Sequence, residues 1–205
     1  REGAELSKVY MVGNILIDNI RADRGRFVRP AVLDRLGIDD HSYLVFTLNR
    51  KALIANTDNL QRMLQALVTA AGSTPIIAPL RGIARETVMA LLPTLPTHLH
   101  LIDPLGYLEF GYLSLHAKGI ITDSGNVAEE ATFNSVPCIT LNSYTEHIET
   151  VKVGSNVLVG EDAKALATYV SQMTAGQWKP CAIPERWDGR SAERILQTLL
   201  EWRRK

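Results

Sequence analysis

The chain reads as an α/β protein built on a doubly wound, mostly parallel sheet. Three observations lead there. Short apolar runs recur along the 205 residues, and they are nearly continuous, as strands covered on both faces require. Helix-length segments separate the runs. Polar residues of the kinds that hold ligands follow the runs directly, at what would be the carboxyl ends of the strands, where open parallel sheets bind.

Taken in order, the strand candidates are VYMVG (9–13), YLVFTL (43–48), PIIAPL (75–80), HLHLID (98–103), GIITD (119–123), PCITL (137–141) and NVLVG (156–160). Helices are expected at 57–71, about 82–92, 107–117, 126–134 and 162–173. In the first of these, Leu60, Leu64 and Leu67 fall at helical spacing behind Thr57, which reads as the cap. The loop WKPCAIPERWDG then breaks the chain with Pro180 and Pro184. A terminal helix closes it, SAERILQTLLEWRRK, within 189–205, with Ser191 as its expected cap. A helix set off by such a loop is expected to pack on a neighbouring domain.

Composition narrows the partners. Hydrophobic residues make up 46% and charged residues 21%, ordinary for a globular domain. Basic and acidic residues balance at 22 each, so neither nucleic acid nor an anionic membrane is an expected partner. No apolar run reaches membrane-spanning length and no secretory signal is present, which makes the cytoplasm the expected location. The two cysteines, Cys138 and Cys181, support neither a zinc site nor a disulfide framework. Cys138, inside PCITL, reads as a small buried hydrophobe. No metal is expected. The chain opens on Arg-Glu-Gly without an initiator methionine, as a piece of a longer protein would.

Four groups carry candidate chemistry. The stretch ITDSGNVAEE (120–129), followed by Glu130, runs a strand into Ser124-Gly125 and then a helix. Unpaired N–H groups at such a helix start suit a phosphate, and Gly125 lets it come close. Glu130, more than a turn deeper, could accept bonds from two ribose hydroxyls. The other reading is plain capping, with Asn126 and Glu129 as an N-x-x-E box. In Asp103-Pro-Leu-Gly-Tyr-Leu-Glu-Phe110, an aromatic could face a base, or Tyr107 and Phe110 could be core packing. Arg50, in Thr47-Leu-Asn-Arg50, could neutralise a diphosphate or lie on the surface, and Arg81 and Arg85 allow the same two readings. His147, between Glu146 and Glu149, is either part of an acid/base cluster or a surface hydrogen-bonding group.

Read together, IDPLGYLEF, TDSGNVAEEA, PCITL, YTEHIETVKVGSNVLVG and WDGRSAERI closely resemble the non-hydrolysing UDP-N-acetylglucosamine 2-epimerases, and KVYMVGNILID resembles the start of their second domain. The blocks run in order across nearly the whole chain. The resemblance implies a single Rossmann-like UDP-binding domain over 1–205. It would be the carboxyl-terminal half of a two-domain protein in the glycosyltransferase-B arrangement, with its terminal helix on the absent amino-terminal domain. It implies an isomerase that interconverts UDP-GlcNAc and UDP-ManNAc by eliminating and re-adding UDP, with no cofactor, in cell-envelope polysaccharide biosynthesis. The full-length protein would be a homodimer, and the half alone inactive. A nucleotide-sugar-binding module without catalysis and a glycosyltransferase of the same architecture are the alternatives.

Carried over residue by residue, the resemblance assigns the diphosphate to Ser124 and Gly125, the ribose to Glu130, the uridine pocket to Phe110, and the family's T-x-H-R arginine to Arg50. Several polar positions depart from the pattern. Asn49 stands where the family has histidine, Arg81 where a proline-valine-histidine loop ends, Asn126 where a second glycine follows, Asn142 where arginine follows leucine, and His147 where T-E-R-P-E has its arginine. Asn49 and His147 thus occupy cleft positions in altered form, and the catalytic residues are left unassigned.

Overall fold

The structure, a computed structural model, describes residues 5–203. The expected domain 1–205 and terminal helix 189–205 run past these limits, and residues 1–4 and 204–205 lie outside the described residues. Helices α1 (Ile15–Asp23) and α2 (Ala31–Leu36) come before the first strand. Six strands follow, β1 (Leu44–Phe46), β2 (Ile76–Pro79), β3 (Leu99–Ile102), β4 (Gly119–Thr122), β5 (Cys138–Thr140) and β6 (Asn156–Leu158). Between and after them lie α3 (Lys51–Ala55), α4 (Thr57–Ala71), α5 (Gly82–Leu91), α6 (Tyr107–Leu115), α7 (Gly125–Phe133), α8 (Ile148–Lys152), α9 (Ala163–Thr174) and α10 (Ser191–Arg203).

The strands form one sheet in the order β3-β2-β1-β4-β5-β6, parallel at every pairing. Strand order reverses between β1 and β4, which opens a crevice at their carboxyl ends. Alternate residues of each strand serve opposite faces. Leu44, Phe46, Ile76, Ala78, Ile121 and Ile139 pack under α3, α4, α5 and α9. Val45, Ile77, Ile120 and Cys138 pack under Leu33 of α2, Leu113 of α6, and Ala128 and Ala131 of α7. Burial on both faces is why these runs are continuously apolar. Cys138 is fully buried, as its context suggested, and burial pushes its thiol up to about 12.

One expected strand is not formed. Residues 9–13 pair with no strand, and Val9, Tyr10 and Met11 are exposed. The run ends instead at Gly13, with φ of +106°, and Asn14 caps α1 through the N–H of Leu16. α1 then buries Ile17 and Ile20 against Trp187, a third, small core that ties the start of the domain to its last loop. The apolar run is therefore a connector, and its hydrophobicity faces outward in this chain.

Two expected caps are also reassigned. Thr57 is the first residue of α4, and Asn56 holds the cap position. Ser191 is the first residue of α10, and its N–H and that of Ala192 donate to the carboxylate of Asp18 in α1, at 3.0 and 2.8 Å. The cap comes from 173 residues away, so local spacing could not identify it.

Candidate functional site

The crevice is built at the β1/β4 switch point by Asp123. Its Oδ2 accepts the backbone N–H groups of Asn49 and Arg50, both at 2.6 Å. This clamps the end of β1 to the end of β4 and sets the two polar loops side by side. Below the clamp, the hydroxyls of Thr47 and Thr122 are 2.6 Å apart, and the N–H of Ser124 donates to Thr122 Oγ1 at 3.0 Å. Asp123 is 5% exposed, and its Oδ1 has no partner among the described residues. The sequence placed Asp123 among the polar residues at a strand end, with no role assigned to it. The position of an acid directly before the Ser-Gly turn was the available signal.

Ser124 is the N-cap residue of α7, in extended conformation, and no side chain caps the helix. The Asn126–Glu129 box is therefore not formed. Asn126 sits inside the first turn, and the Glu129 side chain points elsewhere: Asn14 Nδ2 donates to Glu129 Oε1, and His147 Nδ1 lies 3.2 Å from the same oxygen. Burial raises the Glu129 carboxyl, while His147 and the Asn14 bond oppose that rise. The helix start thus presents its first N–H groups and the positive end of its dipole without an internal acceptor. Gly125 has only the His147 ring near the place a Cβ would occupy, at 3.9 Å, so His147 stands at the mouth of this turn.

One step around the helix from Glu129, Glu130 faces a different surface. It shares a small cavity of about 10 Å³ with Phe110, Tyr107, Phe27, Ser114 and Asn134. Burial, aided by Glu129, pushes its carboxyl up from the ordinary 4.5 to about 7. Phe110 is half-buried and packs on the core beneath α6, while Tyr107 meets Phe27 edge-on at 6.3 Å. Both expected aromatics thus border the Glu130 cavity, Phe110 also packing on the core and Tyr107 on Phe27.

On the far side of Ser124, Arg50 donates to Asn142 Oδ1 and to the carbonyl of Leu141 at 3.4 Å. Asn142 Nδ2 donates in turn to the Asp123 carbonyl at 3.3 Å. Arg50 is therefore a half-buried part of the crevice wall. Arg85 pairs with the exposed Asp103 at 3.3 Å, away from the switch point. Arg81, after β2, is exposed. A cleft of about 550 Å³ runs beside the α7 start, lined among others by Met11, Asn14, Glu129, His147, Glu149 and Trp187.

The structure thus brings Asn49, Arg50, Ser124, Gly125 and Asn142 to the switch point, sets His147 at its mouth, and holds Glu130 with Phe110 on the adjoining face. Such an arrangement can seat a diphosphate on N–H groups and a hydroxylated ring on a carboxylate. Among the described residues, no group of three or more His, Cys, Asp or Glu side chains could hold a metal ion, and no helix is long and apolar enough to cross a membrane.

The sequence model of the family described as UDP-N-acetylglucosamine 2-epimerase matches residues 1–200. A curated UDP-N-acetylglucosamine 2-epimerase of Methanocaldococcus jannaschii is 35% identical, over 97% of this chain and 56% of its own length. A UDP-2,3-diacetamido-2,3-dideoxy-D-glucuronate 2-epimerase of Pseudomonas aeruginosa is 33% identical, over 75% of this chain and 42% of its own. Among solved structures, the M. jannaschii UDP-GlcNAc 2-epimerase in complex with UDP-GlcNAc and UDP superposes with a TM-score of 0.77 at 30% identity, covering 97% of this chain and 57% of that one. The chain spans about half the length of the curated relatives it matches.

Proposed function

The chain belongs to the UDP-N-acetylglucosamine 2-epimerase family, and we propose that it is the UDP-holding, carboxyl-terminal half of a non-hydrolysing epimerase that interconverts UDP-GlcNAc and UDP-ManNAc. The observation that carries this reading is the uncapped start of α7 at the switch point, with Glu130 one turn deeper beside Phe110. Ser124 and Gly125 receive the diphosphate, Arg50 adds positive charge from the neighbouring loop, Glu130 accepts the ribose hydroxyls, and Phe110 borders the uracil.

In the proposed reaction a base removes the proton at C2 and the C1–O bond breaks. UDP leaves with the electron pair and a 2-acetamidoglucal remains. UDP then adds back at C1 as C2 is reprotonated on the other face. The role of this half is electrostatic. Donors held ready at the leaving diphosphate stabilise the charge that develops there. The acid and base come mainly from an amino-terminal half, against which α10 packs. In support, α10 exposes Leu196, Leu199, Leu200 and Trp202 along its length. The full-length protein is proposed to be a homodimer acting in the cytoplasm, on precursors of envelope polysaccharide.

Calorimetry with UDP tests the binding part. Glu130→Ala should weaken UDP by about ten-fold, the loss of a charge-assisted pair of bonds, and equal affinity in the variant would reject the ribose role. For the reaction, the full-length protein with UDP-GlcNAc in heavy water should exchange the C2 proton and form the ManNAc epimer. One observation favours a second reading, binding without turnover. Asn49 cannot titrate near neutral pH, and His147 is engaged with buried Glu129. A folded full-length protein that binds UDP yet exchanges no C2 proton would establish that reading instead. The sugar itself differs among the relatives, one of which is named for a glucuronate.

A further inference from the structure

Two buried polar atoms beside Glu130 have no partner of their own. Ser114, in α6, is 2% exposed, and its Oγ makes no hydrogen bond among the described residues, not even to the carbonyl one turn back that a helical serine commonly takes. Asn134, at the end of α7, leaves Oδ1 buried and unpartnered in the same way. Buried polar groups are costly to leave unpaired, so each calls for an explanation. Both residues line the cavity that Glu130 lines, and Phe27, Phe110 and Gly111 make up much of its remaining wall. Its volume of about 10 Å³ is roughly that of one water molecule. The three polar groups are therefore within reach of one another, directly or through a single water. Asn134 lies four residues after Glu130, on the same side of the helix, and Ser114 meets them from α6.

The Glu130 carboxyl group needs such partners. The titratable groups that act on it are Glu129 on its own helix and Tyr107 of α6, with Asp23 of α1 behind Tyr107, and none of them is a cation. To accept two ribose hydroxyls the group must ionise, and those hydroxyls use one lone pair on each oxygen. The remaining lone pairs turn toward the cavity, where a carboxylate without donors would be strongly disfavoured. The Ser114 hydroxyl and the Asn134 amide can donate to them. When the carboxyl group holds its proton the direction reverses, and its O–H donates to Asn134 Oδ1 or Ser114 Oγ. A hydroxyl and a carboxamide both donate and accept, which suits them to a group that changes charge.

We infer that Ser114 and Asn134 are positioning residues for ribose recognition: they hold the inner side of the Glu130 carboxyl group, turn its outer side to the two hydroxyls, and partner it in both charge states. The inference rests on the reading of Glu130 as the ribose acceptor and deepens it.

The test is calorimetry on this chain with UDP and with 2′,3′-dideoxy-UDP, which keeps the base and the diphosphate but lacks both hydroxyls, from pH 6 to pH 9. The unaltered chain should prefer UDP by about ten-fold at pH 8, and less at pH 6. Ser114→Ala and Asn134→Leu should each remove most of that preference at pH 8 and move its onset up by about one pH unit, the worth of one hydrogen bond to the ionised form. Neither should change the affinity for dideoxy-UDP, which also shows that the variants are folded. Thr132→Val removes another buried, unpartnered hydroxyl that does not line this cavity, and should leave the preference whole. With Glu130 already replaced by Ala, neither change should weaken UDP further. An unshifted pH profile in both variants would overturn the inference. So would equal losses for the two ligands, or a further loss in the Glu130→Ala background. Equal binding of UDP and dideoxy-UDP by the unaltered chain at pH 8 would instead strike the ribose reading itself, and the inference with it.

Discussion

At the scale of single residues, the neighbours Glu129 and Glu130 divide the work of α7 because consecutive helical positions point about 100° apart. One closes a buried contact with Asn14 and His147; the other enters the Phe110 cavity. The order of the letters could not separate them; the resemblance assigned the ribose to Glu130, and the geometry sets the two side chains on different surfaces. Glu130 also makes a definite prediction about pH. Its carboxyl keeps its proton up to about 7 in the folded chain and loses it near 4.5 when unfolded. Its contribution to stability is thus complete below pH 4.5 and disappears as the pH rises through 7. Glu130→Gln should leave stability almost unchanged at pH 4 and raise it by about 3 kcal/mol at pH 8, by urea unfolding at both pH values. UDP binding runs the other way. The ribose hydroxyls need an ionised acceptor, so UDP affinity in the unaltered chain should rise from pH 6 to pH 8 relative to the Gln variant, measured by calorimetry.

At the scale of elements, what was legible and what was not have separate physical causes. The inner strands were readable because burial on both faces demands unbroken apolar runs, and the partly buried edge strands β3 and β6 because their runs stayed mostly apolar. The polar residues after β1, β4 and β5 were readable as candidates because parallel sheets bind at those ends. VYMVG imitates a strand in every local respect and is not one, since pairing is decided by neighbours far along the chain. α1 went unread for the same reason, its apolar face being explained only by Trp187. The α10 cap is the sharpest case. Asp18→Ala should cost about 1–2 kcal/mol by removing the acceptor of two helix N–H groups, and Asp18→Asn less, in equilibrium unfolding. Gly13→Ala is expected to be worse. Its φ of +106° disfavours any side chain, and an added Cβ would sit 2.4 Å from the Arg186 carbonyl oxygen and 2.7 Å from Ser191 Oγ. A loss of roughly 3 kcal/mol or more should appear as a lowered urea midpoint with an unchanged slope.

At the scale of the whole molecule, the sheet and its two covered faces hold the apolar core, while α10 is held by polar contacts and buries only Ser191. Its leucines and Trp202 remain on the surface. If this is the face that meets the other half of the protein, Leu199→Asp should leave the melting temperature of this chain within about 2 °C, because the residue is 61% exposed. In the full-length protein the same change should lower thermal stability clearly. Differential scanning calorimetry on both forms separates a docking role from mere surface hydrophobicity.

The first and last described segments are laced together. Arg194 donates to the Val12 carbonyl, Arg186 to that of Met11, and the Trp202 indole to the Tyr10 hydroxyl. Chain direction is therefore almost irrelevant at this corner, and the domain is a candidate for circular permutation. A short flexible link across the corner, with new ends opened in the exposed turn at 93–97, would leave every strand pairing and the Asp123 clamp in place. Such a permutant could carry a fused reporter at the far edge of the sheet, remote from the β1/β4 crevice.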